Sequence, residues 1–246
     1  MLRGRRILVT GGTSGIGRGL VRRYAANGAV VFAVGRREDA LRQATAVPGP
    51  GTAIPIQADL TTGAGRRGVA TAVDHAAGAL DVVVHAAGAL GPIGPAADLV
   101  HYPESEWHRV FDVNVSAVHF LHQQLAAFLE RGHRPAVIGV SSTVGREGRG
   151  GWGMYSISKR ALEGWLEVLT EEWEGRVYSV NPGATRTPMR AAAMPDEDPA
   201  LLPSPDDIAP LFLRLAHPDA PEPTGSKLSA RDWMGRDPWE GLCRRA

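Results

Sequence analysis

Tyr155 and Lys159 stand four residues apart at the start of a segment whose apolar positions, Ile157, Ala161, Leu162, Trp165, Leu166, Val168 and Leu169, recur at helical spacing. The two therefore share one helix face. An ammonium one turn from a phenol favours the phenolate and lowers a pKa that begins near ~10, giving a general acid/base usable near neutrality. Lysine occurs only at Lys159 and Lys227; the rest of the 27 basic residues are arginine. A compact point charge on a flexible stem suits such a role where a planar guanidinium does not. A Tyr–Lys pair at this spacing also arises by chance in many helices, so its meaning depends on the elements around it.

The first of these is a short apolar run, Ile7 to Val9, that breaks into Thr10-Gly11-Gly12-Thr13-Ser14-Gly15-Ile16-Gly17 and then into a helical pattern at Leu20, Val21, Tyr24 and Ala25. Strand, glycine turn and helix follow in that order. The glycines are spaced G-x-x-x-G-x-G, and they permit a tight turn in which backbone N–H groups at a helix N-terminus approach a pyrophosphate. A second buried strand, Ala29 to Val34, ends at Gly35-Arg36-Arg37. In a dinucleotide-binding βαβ unit this corner faces the adenosine ribose, where an acid reads a free 2′-hydroxyl and an arginine accommodates a 2′-phosphate. No acid stands there before Glu38, so Arg36 points to NADP(H) over NAD(H). The alternative is that Arg36 and Arg37 are surface charges at a helix start.

A helix over Glu38 to Ala46 and a strand over Thr52 to Gln57 lead to Asp59, at a strand's carboxyl end, where it can accept from an adenine amino group, cap the next helix, or both. The next helix carries Val69, Ala72, Val73 and Ala76, and the fourth strand, Asp81 to His85, ends in Ala86-Ala87-Gly88. One amphipathic helix is expected from about Glu104 to Glu130, with Asn114 amid its apolar positions, where a polar side chain needs a partner. His119 and His122 have a spacing that suits a metal but lack a third ligand, which favours solvated or interface histidines and no metal. The fifth strand, Ala136 to Val140, delivers Ser141 and Ser142; the sixth, Arg176 to Val180, ends in Asn181 to Thr187. A helix from near Pro205-Asp206 and a strand after Gly225 complete the pattern. The Ala-, Met- and Pro-rich stretch from Met189 to Pro205 reads as a mobile lid.

The 246 residues suffice for a sizeable core, and their one repeating strand–helix pattern predicts a single domain over residues 1–246. A net charge of +1 supplies no field for nucleic acid or an anionic membrane, and the run Arg3 to Arg6 reads as a solvated chain end. The lone Cys243 excludes an internal disulfide. With no signal-peptide pattern and no apolar stretch of membrane-spanning length, a cytoplasmic protein is expected.

Thr10-Gly11-x-x-x-Gly15-x-Gly17, Asp59, Ala87-Gly88, Asn114, Ser142, Tyr155-x-x-x-Lys159 and Pro182-Gly183 with Thr187 resemble, in order and spacing over nearly the whole chain, the short-chain dehydrogenase/reductase family. The resemblance implies an α/β fold, a Rossmann-type doubly wound parallel sheet of about seven strands with helices on both faces, in a homotetramer or homodimer. It implies that Tyr155 exchanges a proton with the substrate oxygen, that Ser142 hydrogen-bonds and orients that oxygen, and that Lys159 binds the nicotinamide ribose and lowers the tyrosine pKa. Asn114 would hold a helix kink and the water of a proton relay. The implied cofactor-binding set is Gly11, Thr13, Ser14, Gly15, Ile16 and Gly17 around the pyrophosphate, with Arg36, Asp59, Leu60, Ala87, Gly88, Tyr155, Lys159, Pro182, Gly183, Thr185 and Thr187.

The chain departs from the family where His85-Ala86 replaces the usual Asn-Asn, which removes a side-chain tie at Ala86 and predicts a cost in stability. Arg146, Arg149 and Arg190 flank the expected pocket, either as readers of an acidic or acyl-carrier substrate or as surface charges. The reaction implied is carbonyl–alcohol interconversion on a small molecule with NADP(H). A 3-oxoacyl thioester reductase of the same family and a non-catalytic NADP(H) sensor are the alternatives; a serine hydrolase is set aside because no G-x-S-x-G elbow surrounds Ser141 and Ser142.

Overall fold

The computed structural model describes residues 2–242, so Cys243 lies outside the described residues. Among them, β1 (Arg6–Thr10), β2 (Val30–Gly35), β3 (Thr52–Gln57), β4 (Val82–His85), β5 (Ala136–Val140), β6 (Arg176–Asn181) and β7 (Ser226–Ser229) form one sheet. Its order is β3-β2-β1-β4-β5-β6-β7 and every pairing is parallel. The chain steps outward from β1 to β3, then returns to lay β4 on the other side of β1. The connections leaving β1 and β4 therefore run in opposite directions, at the switch point where doubly wound sheets bind ligands.

Strand side chains alternate between two faces, which is how one strand feeds two cores. Ile7 and Val9 pack with Leu20, Val21 and Tyr24 of α1 (Gly15–Ala26) and with Phe212 and Leu215 of the later helix Ala209–Ala216. Leu8 and Val83 pack on the opposite face with Val69, Leu121, Leu125, Leu162 and Leu166. Because both faces are covered, β1, β4 and β5 carry near-continuous apolar runs instead of the alternation of a one-sided sheet.

Three expectations change. The helix predicted over Glu104–Glu130 is α4 (Glu104–Phe111) and α5 (Ala117–Glu130) joined by a π-helical turn at Asp112–Ser116. The Arg3–Arg6 run is not a solvated end. Arg5 is buried and donates to the carbonyls of Ala216 and His133, while Arg6 pairs with buried Asp81 through two side-chain contacts at 2.8 and 3.0 Å and a backbone N–H at 2.8 Å. The helix expected from Pro205 begins at Ala209, after a turn in which the Ala209 N–H bonds to the Asp206 carbonyl. No helix among the described residues is long and apolar enough to cross a membrane.

Candidate active site

At the end of β1 the backbone turns with Gly11 at φ +69°, a conformation that favours glycine, and a Cβ there would lie 2.9 Å from Ala87 Cα. A Cβ on Gly17 would stand 2.3 Å from the Gly11 carbonyl oxygen, so the first turn of α1 sits directly on the loop. Ser14 precedes that helix without a side-chain cap, and no acidic residue stands in its first turn. Its N–H groups and the positive end of its dipole are left for an anion.

A cavity of 740 Å³ runs from this loop along the carboxyl edge of the sheet. It is lined by Gly11, Thr13, Ser14, Gly15, Ile16, Gly17, Arg36, Asp59, Leu60, Ala87, Gly88, Tyr155, Lys159, Pro182 and Thr187. A second cavity of 500 Å³ holds Ser142, Gly183 and Thr185 and shares Tyr155, Pro182 and Thr187 with the first. Asn114 lines neither and is buried behind them. The volume and glycine cradle of the first cavity fit a nicotinamide dinucleotide, and the adjoining space fits a small molecule.

Tyr155, Ser156, Ser158 and Lys159 lie in α7 (Gly153–Glu172), all buried. Burial pushes the Tyr155 phenol above its ordinary value, and the hydrogen bond with Ser142 opposes this without reversing it. The expected lowering by Lys159 is therefore corrected. The Lys159 ammonium stands 5.8 Å from the Tyr155 ring centroid and donates to the Val140 carbonyl at 2.8 Å, and burial brings its own pKa down to about 8. Desolvation sets the direction at this phenol, with Ser142 the group that opposes it.

Asn114 sits in the π-helical turn, a rare conformation concentrated at functional sites. Its Oδ1 accepts the Ala89 N–H at 2.7 Å, and its Nδ2 donates to the Ala89 carbonyl and Ser158 Oγ, both at 2.9 Å. The buried amide thus joins the turn after β4 to α7. Asp59 does not cap the following helix α3 (Gly63–Ala76); Thr62 does, accepting the Gly65 N–H at 3.0 Å. Asp59 accepts from the Thr61 backbone and hydroxyl, which hold its carboxyl below the usual range, with a smaller contribution from the Arg36 charge.

Of the three flanking arginines, Arg146 is turned to structure: it pairs with Glu163 at 3.1 Å and donates to the carbonyls of Ser179 and Leu228. Arg190 pairs with Glu197 at 2.5 Å. Exposed Arg149 lines the second cavity and, of the three, is the one without an ion pair among the described residues. The stretch read as a lid contains α8 (Pro188–Ala193), capped by Thr187, and is tied by the Arg190–Glu197 pair and by Arg186 N–H to Pro203 O at 2.8 Å. His119 lies 3.3 Å from the Trp165 indole nitrogen, and His122 packs edge-on against Trp165 and Trp173. Among the described residues no group of three or more His, Cys, Asp or Glu is placed to hold a metal.

Sequence reasoning missed Trp152, whose ring lies 5.9 Å from that of Tyr155 in the second cavity, and Met189, which lines both cavities. Neither carries a motif. Their signal was only proximity along the chain to Tyr155 and Thr187.

The sequence pattern of the short chain dehydrogenases matches residues 5–198. The uncharacterized oxidoreductase YciK of Escherichia coli K12 is 40% identical over 245 residues, covering 97% of this chain and 95% of YciK. A short chain dehydrogenase structure from Pseudomonas syringae superimposes with a TM-score of 0.87 at 41% identity, covering 93% of this chain and 95% of that one. One from Shigella flexneri, complexed with NADP, gives 0.85 at 37% identity and covers 93% and 98%. With a family pattern spanning most of its length and relatives matching it nearly throughout, the chain belongs to the short-chain dehydrogenase/reductase family and is an oxidoreductase.

Proposed function

We propose that the protein interconverts a small-molecule carbonyl and its alcohol with NADP(H), using Tyr155 as proton donor and acceptor. The observation that carries this reading is the position of Tyr155, shared by the two cavities and hydrogen-bonded to Ser142. A bound nicotinamide supplies the hydride; the chain supplies position and proton. The raised pKa keeps the phenol protonated at neutrality, the form that donates to the oxygen of a carbonyl being reduced. Ser142 would hold that oxygen, and Lys159, still largely cationic at pH 7 with a pKa near 8, would bind the ribose of a nicotinamide cofactor.

Arg36 supports NADP(H) over NAD(H). It lines the cavity at the end of β2 and is the cation there, opposite Asp59. The Shigella relative's complex with NADP points the same way.

The reading is tested by fluorescence titration of the purified protein with NADPH and NADH, followed by a panel of carbonyl compounds assayed as NADPH oxidation. Tighter binding of NADPH and turnover on at least one carbonyl is the expected result. Tighter binding of NADH overturns the role of Arg36. NADPH binding without turnover across the panel favours a sensor, and failure to bind either nucleotide removes the reading.

A further inference from the structure

One turn beyond Lys159 on α7, Glu163 is buried, with its side chain 3% exposed. Its Oε1 accepts from Ser179 Oγ at 2.6 Å and from Arg146 Nε at 3.1 Å, and the Ser141 hydroxyl adds a third donor to the carboxylate. Arg146 lies in α6 (Thr143–Arg146), the turn that begins at Ser142. The same guanidinium reaches the Ser179 carbonyl at 3.2 Å in β6 and the Leu228 carbonyl at 3.1 Å in β7. α6 and α7 touch so closely that a Cβ on Gly145 would lie 2.6 Å from Lys159 Cβ. One carboxylate therefore links the helix that carries Tyr155 and Lys159 to the segment that carries Ser142 and to the strand that leads into Pro182-Gly183.

A buried carboxylate with three donors' worth of structure around it has no need of this site unless its charge is used, because an apolar side chain fills such a place at less desolvation cost. Arg146 pairs with that charge directly, and Lys159, one turn back on α7, is the second cation it acts on. The lysine is buried, its hydrogen-bond acceptor is the neutral Val140 carbonyl, and Glu163 is the group that opposes its desolvation. The other charged or titratable groups facing Lys159 are Tyr155 on α7, protonated at neutrality, and His85 on β4, which burial keeps neutral. Glu163 is itself faced by Arg146 from α6, by Arg160 and Glu167 on α7, and by Lys227 from β7, around a cleft of 200 Å³.

We propose that Glu163 is a positioning residue of this oxidoreductase: clamped by Ser179 and Arg146, its carboxylate keeps Lys159 cationic and holds α7 against α6 so that Ser142, Tyr155 and Lys159 stay in register. What that register serves rests on the function proposed above; the charge coupling does not.

The composition supplies a test independent of substrate. Lysine stands only at Lys159 and Lys227, so protein labelled with ε-13C lysine gives two assignable signals, with half-exposed Lys227 as reference. In the native protein Lys159 is expected to titrate near pH 8. Glu163→Gln, which keeps the shape and removes the charge, lowers that midpoint by about one pH unit. Arg146→Gln, which removes the competing cation and leaves the carboxylate, raises it. An unmoved Lys159 signal in Glu163→Gln, or a lowered one in Arg146→Gln, overturns the proposal. In turnover with NADPH, Glu163→Gln is expected to lose about fivefold in kcat at pH 8 and little at pH 6, as the cationic fraction falls; an equal loss at every pH marks a merely structural role. Displacement of the Lys159 signal in a protein whose native form turns over no carbonyl overturns the proposed function and leaves the coupling standing.

Discussion

The hydroxyl of Thr10 accepts the backbone N–H of Ala87 at 3.0 Å, and that of Ala86 at the same distance. Its own proton reaches the Val84 carbonyl at 3.4 Å. The turn after β4 is thus stitched to the end of β1 by a side chain from β1. Thr10→Val keeps the shape and strands the Ala87 N–H, while the Ala86 N–H keeps the Val84 carbonyl at 3.2 Å, so it is expected to cost about 1–3 kcal/mol in urea unfolding and to weaken NADPH binding. Thr10→Ser retains the acceptor and is expected to stay near the native protein.

The loop tolerates no side chain at Gly17, where the contact is with backbone and cannot relax by rotamer change. Gly17→Ala is expected to reduce NADPH affinity more than tenfold by isothermal calorimetry. Gly68→Ala, at an open position in α3, is the matched control and is expected to bind normally.

Arg36→Ser removes the cation at the ribose corner of the cavity. NADPH affinity is expected to fall by about 10- to 100-fold, the loss of a charge-assisted contact to a phosphate, with NADH affinity unchanged. Equal losses for both nucleotides contradict the role given to Arg36.

His85 and His122 make the fold acid-sensitive. Burial, followed by His122 and Lys159, brings His85 down to about 3, and burial, followed by His119, brings His122 to about 4. Both lie below the ~6.5 of an unfolded histidine, so the unfolded chain takes up protons first as pH falls. Their contribution is complete above that value and is lost progressively toward pH 4 and below. The urea midpoint is expected to drop between pH 7 and pH 5. His85→Leu, which removes a ring whose Nε2 has no hydrogen-bond partner among the described residues, is expected to lessen that drop.

What the sequence concealed is long-range. β1, β2, β4, β5 and β6 were legible because each is a buried run bounded by glycine, proline or charge, whereas β3 and β7 are largely half-buried or exposed edge strands. Arg5 and Arg6 read as solvated because the groups they bind lie far along the chain, Asp81 among them, and Arg146 read as either a substrate reader or a surface charge because its partners Glu163 and Ser179 are also distant in sequence. The π-helical turn at Asp112–Ser116 alters backbone bonding without altering apolar spacing; Asn114 among apolar neighbours was its one trace. The Tyr155 pKa went the other way because spacing reports that Lys159 is near, whereas burial is a property of the assembled fold.

If Tyr155 delivers the proton, single-turnover oxidation of bound NADPH by a carbonyl substrate must separate native protein from Tyr155→Phe. The account predicts that the variant binds NADPH as the native protein does and oxidises it at least ~10²-fold more slowly. Oxidation by Tyr155→Phe at the native rate would contradict it.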